Sequence, residues 1–420
     1  MSDSTSIAIR RLAELWGLLA LALVLLLVIF QVPLERAAGL PSFSDELLLL
    51  IFLAMISISA IENRDARRIL LVFGLAFGVL LTLSLQAIPH RGLFAVLMQI
   101  FVHLKLIIYV GFAWLFIGPH LSRNVLIILL VVTIVGLVIN LMTGAYFNDI
   151  FNSPIKIRGG LVRPIGIQAD TASLGTTIAL IGVLLVTLVS SADRKSKLVL
   201  LALFSLLLIL SSSRTSLIIV PIIVLWWFKE SFRTFLAVAA VAIMMTMVIP
   251  SNKYVDTIVE ITRQNIEWTT ENPVESGYIR GIMIFFGFQT ANDNLPFGRG
   301  AATFGTVFSE DSVVYAELGL RDSYFFIETD GIYDSNIASL LGEFGYLGTL
   351  IYLGLLFITM RLFRSREWQQ PSEFVFALPL TLLAFSVSTP IFMNSYPAFI
   401  TALVVVAAYQ HRQAVPDATC

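Results

Sequence analysis

Long apolar runs separated by short polar breaks dominate the chain. A helix needs about 20 mostly apolar residues to cross roughly 30 Å of hydrocarbon. Runs of that kind occur at 12–30, 46–61, 69–86, 93–117, 123–143, 171–191, 198–211, 214–228, 235–250, 336–360, 373–389 and 391–409. They predict an all-α polytopic membrane protein with about twelve transmembrane helices. The seventh and eighth runs are short and share the turn Ser211-Ser212-Ser213-Arg214, and the last two join around Pro390. The first run is long for a signal-peptide core and no small-residue cleavage site follows it closely, so it reads as an uncleaved helix. The expected organisation is spans one to nine in 1–250, one large loop in 251–334, and spans ten to twelve with a tail in 335–420.

The loop has its own pattern. Val255, Ile258, Val259 and Ile261 recur at helical spacing, and Tyr278–Phe288 is apolar enough for a second helix. Both predict amphipathic helices packed on the membrane surface or on the spans. Asn294–Gly300 is rich in turn residues. Asp334 or Ser335 is suited to cap the helix that starts at Asn336.

Composition agrees with this class. The chain is 57% hydrophobic and 13% charged, against about 25% charged in soluble domains. Net charge is −1, which argues against a nucleic-acid partner. The single cysteine, Cys420, excludes an internal disulfide framework and a cysteine-based metal site. Basic residues in short loops set orientation. With the N-terminus in the cytoplasm, that side holds Arg10, Arg11, Arg64, Arg67, Arg68, Arg123, Arg194, Lys195, Lys197, Lys229, Arg233, Arg361, Arg364, Arg366 and Arg412. The other side holds only Arg36, Arg91, Lys156, Arg158, Arg163 and Arg214 in its short loops. Both termini are therefore expected inside, with 251–334 outside. That segment carries 13 of the 28 acidic residues. No internal repeat is visible, which weighs against transporter folds built from repeated halves.

The chemistry-bearing residues are few. No P-loop, Gly-rich nucleotide fingerprint, HExxH motif or GxSxG elbow occurs, and none of the four histidines lies in the loop. What remains is a set of arginines and carboxylates at one membrane face. A guanidinium stays charged and its rigid fork suits phosphate oxygens. Arg163 sits in Gly159-Gly160-Leu161-Val162-Arg163-Pro164-Ile165-Gly166. Its alternative role is an interfacial arginine reaching lipid phosphate. Arg214 stands at the start of a helix, against the dipole, which argues for a partner anion. Asp334 serves either as a helix cap or in chemistry. Glu343 lies about two turns inside an apolar helix, where a carboxylate needs a partner or a wet cavity. A structural pair with an arginine of another span is the plain account of it. Lys105, next to His103 inside the fourth span, is a functional candidate by its position, a partner for Glu343, or a sign of a misplaced span boundary. Tyr278, Tyr324, Tyr333 and Trp268 are candidates for stacking on sugars or for anchoring at the interface.

An ordered series over about residues 160–350 resembles the O-antigen ligase/polymerase superfamily of bacterial membrane glycosyltransferases. Arg163-Pro164-Ile165-Gly166, with Gly175 downstream, is similar to its R-x-x-G element. Ser213-Arg214-Thr215-Ser216 resembles its S-R hairpin. Ser276-Gly277-Tyr278-Ile279-Arg280, then Pro296-Phe297-Gly298-Arg299-Gly300 and Phe304, resembles its S-G-x-x-R…P-x-G-x-G run. Asp334-Ser335-Asn336, with Leu340, Glu343, Gly345 and Gly348, resembles the element that ends the outer loop.

The resemblance implies a GT-C-like helical fold and a metal-independent, cofactor-free transfer at the periplasmic face of the inner membrane. The donor would be a glycan on a polyprenyl diphosphate carrier, and the acceptor a hydroxyl of another carrier-linked repeat unit. Arg163 and Arg214, with Arg280 as a third, would stabilise the departing diphosphate. Asp334 would help deprotonate the hydroxyl. Glu343, Asn336, Arg299 and Lys105 are the candidate substrate-binding residues. The expected partners are the lipid-linked oligosaccharide and membrane lipid, with a chain-length regulator and a flippase beside them. Ligases that use lipid A core typically carry a histidine just before the final asparagine. Here Tyr333, Asp334 and Ser335 stand there, which favours a repeat-unit polymerase of O-antigen or exopolysaccharide. The competing readings are the ligase, a lipid-linked oligosaccharide flippase or exporter, and a non-catalytic assembly partner.

Overall fold

The computed structural model describes residues 22–23, 26–31, 33–34, 44–158, 161–188, 194–212, 216, 260, 263–264, 267–327, 332–365 and 367–411. The protein is predominantly helical. Four stretches are long and apolar enough to cross a membrane: Arg64–Arg91, Lys105–Thr143, Thr171–Leu188 and Asn336–Met360. The principal helices are α1 (Ser44–Ser59), α2 (Arg64–Ser84), α3 (Leu93–His103), α4 (Lys105–Phe112), α5 (Gly118–Thr143) and α6 (Thr171–Leu188). They continue as α7 (Arg194–Leu210), α8 (Ile279–Asp293), α9 (Asn336–Met360), α10 (Ser372–Ser386) and α11 (Ser395–Ala407). The eighth and ninth expected spans and the Val255–Ile261 pattern lie outside the described residues, as does most of the first span.

Apolarity places the helices well but misses a break. The run 93–117 reads as one span, yet the helix interrupts at Leu104 and continues as α4 and a π-helical stretch, Ala113–Ile117. Hydropathy is blind to this because every residue around the break except His103 and Lys105 is apolar. The break matters, since those two polar side chains go to different partners.

Helix ends follow local chemistry. Asn63 caps α2, accepting from Asp65 N at 2.8 Å. The Arg123 guanidinium donates to the Ala407 and Tyr409 carbonyls at 2.7 and 2.6 Å. It thereby satisfies acceptors that the end of α11 leaves open.

The central helices are α6 and α11. Every residue of α11 is buried, and α6 packs on α5, α7, α10 and α11. At one end of the bundle Trp114 stacks on Phe363 at 4.2 Å, meets Tyr409 edge-on, and donates to Asp65 at 3.0 Å. Elsewhere the apolar surface is open: Ile128, Val131, Val135 and Val138 of α5 are all exposed. A stripe of bare aliphatic side chains is costly in water and expected against lipid tails.

Residues of 279–326 and 332–338 build a second, smaller core at the other end, here called the loop end. Ile282, Met283 and Phe286 of α8 close over Phe304, Tyr315 and Ala338. Rather than lying flat on a surface, α8 runs alongside the first turns of α9. A backbone interlock fixes the register. Helix α9 breaks at Gly345, which has φ +64°. The carbonyls of Gly342 and Glu343 then accept from Arg299 N and Gly300 N at 3.0 and 2.6 Å, while Leu347 N donates to Pro296 O at 3.3 Å. A β-carbon on Gly298 would sit 2.5 Å from Gly345 N, and one on Gly345 would sit 2.5 Å from Pro296 O. Only two glycines allow so close an approach. Gln86 donates to Gly298 O at 2.6 Å and Arg91 binds Phe308 O and Asp311, tying this unit to the end of α2 and the turn that follows it.

Candidate functional site

Three chain segments converge at the loop end. The first is a hairpin of β1 (Ile157–Arg158) and β2 (Leu161–Val162), which leads into the loop before α6. Arg163 N donates to Lys156 O at 2.9 Å, so the two basic residues close the hairpin together. Asn140, near the end of α5, accepts from Ile165 N and Gly166 N at 2.7 and 3.1 Å. Gln168 donates to Thr133 at 2.8 Å. The Arg163-Pro164-Ile165-Gly166 loop is thus nailed to α5, with Ile165 and Gly166 buried and Arg163 half-buried. Asp170 accepts from Ser173 N at 2.8 Å and starts α6.

The second and third segments are the first turns of α8 and α9. Sequence left two candidates for the α9 cap, and Ser335 takes that role, its hydroxyl accepting from Ala338 N at 3.3 Å. Asp334 is therefore free to face α8. Its Oδ2 accepts from Arg280 Nη2 at 2.9 Å and Nε at 3.2 Å. The pair is partly open, with 35% and 37% of the two side chains exposed. Partial burial pushes the Asp334 carboxyl above the ordinary carboxylate range. Arg280 and then Lys156 oppose that shift, and Asp170 adds to it. Asp334 thus senses Arg280 from α8, Lys156 from the hairpin and Asp170 from the start of α6.

The other nominated residues fall elsewhere. Arg214 lies outside the described residues. Asn336 is buried, and its Oδ1 accepts from Phe392 N at 2.8 Å, which holds the turn before α11. Glu343 is fully buried. Its partners are not an arginine or Lys105 but His103 Nε2 at 2.7 Å and Thr306 Oγ1 at 2.8 Å. Lys105 is buried too and binds Asp45 at 2.6 Å, Glu46 at 3.0 Å and Ser395 at 3.0 Å. It joins the first turn of α1 to the first turn of α11. Arg299 pairs with Glu317 at 2.9 Å on an exposed surface. Lys156, Asp170, Asp45 and Glu46 were not nominated from sequence. The β1–β2 pairing, closed by Arg163 N on Lys156 O, is what brings the first of these to the candidate site.

One face of α8 lines a cleft of 570 Å³ that includes Tyr278, Phe285, Phe288, Gln289, Asn292 and Asp293, and Tyr346 of α9 stands at its edge against Phe288 and Asn292. Among the described residues no group of His, Cys, Asp and Glu is arranged to hold a metal ion. No protein-family model matches the chain, and no curated protein matches it.

Proposed function

We propose that this protein is a bacterial inner-membrane glycosyltransferase of the repeat-unit polymerase type, with both termini cytoplasmic and the loop end facing the periplasm. It transfers a glycan from a polyprenyl diphosphate carrier to a hydroxyl of a second carrier-linked repeat unit. The observation that carries this reading is the half-open Arg280–Asp334 pair beside Lys156, at the meeting point of three segments that resemble one superfamily's motifs. The apolar helices and the bare face of α5 support the membrane setting.

The chemistry uses what the pair offers. The acceptor hydroxyl oxygen bonds to the anomeric carbon as the bond from that carbon to the diphosphate oxygen breaks. The bonding electrons leave with the diphosphate, and the hydroxyl proton passes to Asp334. Negative charge develops on the bridging oxygen, where Arg280, Arg163 and Arg214 stabilise it. Arg280 now counters Asp334. Turning toward diphosphate, it withdraws that counter-charge, and the carboxylate becomes a stronger base as the leaving group arrives.

Purified protein in lipid nanodiscs, given polyprenyl-diphosphate repeat units, should yield a ladder of longer glycans. Arg163→Ala, Arg214→Ala and Arg280→Ala should each abolish the ladder while elution and helix content stay as in the parent. Normal ladders from all three would dismiss the assignment.

A further inference from the structure

The cleft on α8 has a composition that the proposed transfer does not use. Its volume of 570 Å³ lies within the roughly 300–1,000 Å³ typical of small-molecule sites. Tyr278, Phe285 and Phe288 supply ring faces, with Phe285 and Phe288 39% and 43% exposed. Gln289, Asn292 and Asp293 follow along the same helix face. Asn292 Oδ1 accepts from Tyr346 at 2.8 Å, which orients the carboxamide. No cation lines the cleft.

We infer that this cleft is a saccharide subsite for an uncharged glycan. Flat aromatic faces suit the C–H faces of pyranose rings, and amide and carboxylate groups suit paired hydroxyls. A diphosphate would find no counter-charge there, and a polyanionic glycan would meet Asp293. Chain adjacency links the cleft to the ion pair. Tyr278 and Gly281, at its near end, bracket Arg280 in sequence. From Tyr278 to Asn292 the helix rises roughly 20 Å, enough for several sugar units in a row. A glycan whose diphosphate is held at Arg280 would run down this face. That role rests on the proposed transfer, whereas the binding of free saccharide does not.

The test uses the full chain in nanodiscs, which avoids sugar-headed detergents. The probe is the neutral oligosaccharide released by mild acid from polyprenyl-linked glycans of the producing cell. Saturation-transfer NMR should show binding to the parent protein. Phe288→Ala combined with Gln289→Ala should weaken it at least tenfold, with thermal stability kept because both side chains are partly open. Arg280→Ala should leave free-oligosaccharide binding within about twofold. Binding that survives the double substitution, or displacement of the oligosaccharide by sugar-free farnesyl phosphate, would overturn the inference. If the parent binds through the cleft but makes no ladder, the subsite stands and the transfer reading falls. If both proteins make equal ladders and bind equally, the transfer reading stands and the subsite falls.

Discussion

Two charged clusters in this molecule use the same residue types to opposite ends. Lys105 with Asp45, Glu46 and Ser395 is closed off, only 3% of the lysine side chain being exposed. Arg280 with Asp334 keeps more than a third of each side chain open. The closed cluster has nowhere to exchange its partners, so its charges are committed to joining helix ends. The open pair can trade one anion for another at little desolvation cost. A buried intramembrane lysine is a functional candidate by default. Here, burial together with a full set of protein partners separates a fastening from a candidate site.

The sharpest challenge to that contrast is Lys105→Met. It strands two carboxylates and should cost about 3–5 kcal/mol, seen as a large drop in the thermal midpoint in detergent. Adding Asp45→Asn and Glu46→Gln should recover most of it. Recovery failing, or no initial loss, would mean the cluster is not a fastening. Gly345→Ala probes the interlock between the two cores. Positive φ and the clash with Pro296 O should cost about 1–3 kcal/mol, and protease should cut first within 296–301. Ser335→Ala should cost about 1 kcal/mol through the lost cap, whereas Asp334→Asn should leave stability nearly unchanged while removing the ladder. Equal stability losses would place Asp334 in the cap after all.

Arg280→Ala and Arg299→Ala should each change stability by no more than about 1 kcal/mol, as half-open pairs do. The pH profile separates them. The proposed transfer uses Asp334 ionised, so its rate should rise with pH along a limb set above the ordinary carboxylate range. Lys156→Ala removes a charge that favours the carboxylate, so it should move that limb to higher pH. Arg280→Lys, which keeps a charge but loses the fork, should lower the rate and move the limb the same way. Arg299→Ala should leave the limb in place. A limb indifferent to Lys156 would detach the hairpin from the site.

Much of the architecture was legible from residue pattern because hydrophobic length speaks directly about helices. The 336–360 run matches α9 end for end, and the 171–191 run is α6 to within a few residues. The candidate site was partly legible: Arg163, Arg280 and Asp334 stand out as charges in apolar or turn-rich surroundings, and the fold pairs Arg280 with Asp334. Lys156 did not, since a lysine in a short polar loop looks like any other until its hairpin closes. The pairing of Lys105 with Glu343 read wrongly. The break at Leu104 sends His103 to Glu343 and Lys105 to α1, and no one-dimensional pattern reports which neighbour lies across a helix face.

By itself the chain composition and periodicity determined that this is a helical protein with apolar spans and a folded acidic loop, because burial and hydrogen bonding in hydrocarbon permit little else. Tertiary packing alone decided which charges are sealed and which stay open. Partner choice depends on contacts made across large sequence separations, such as Arg280 with Asp334 and Glu343 with His103. Local sequence carries no record of those contacts.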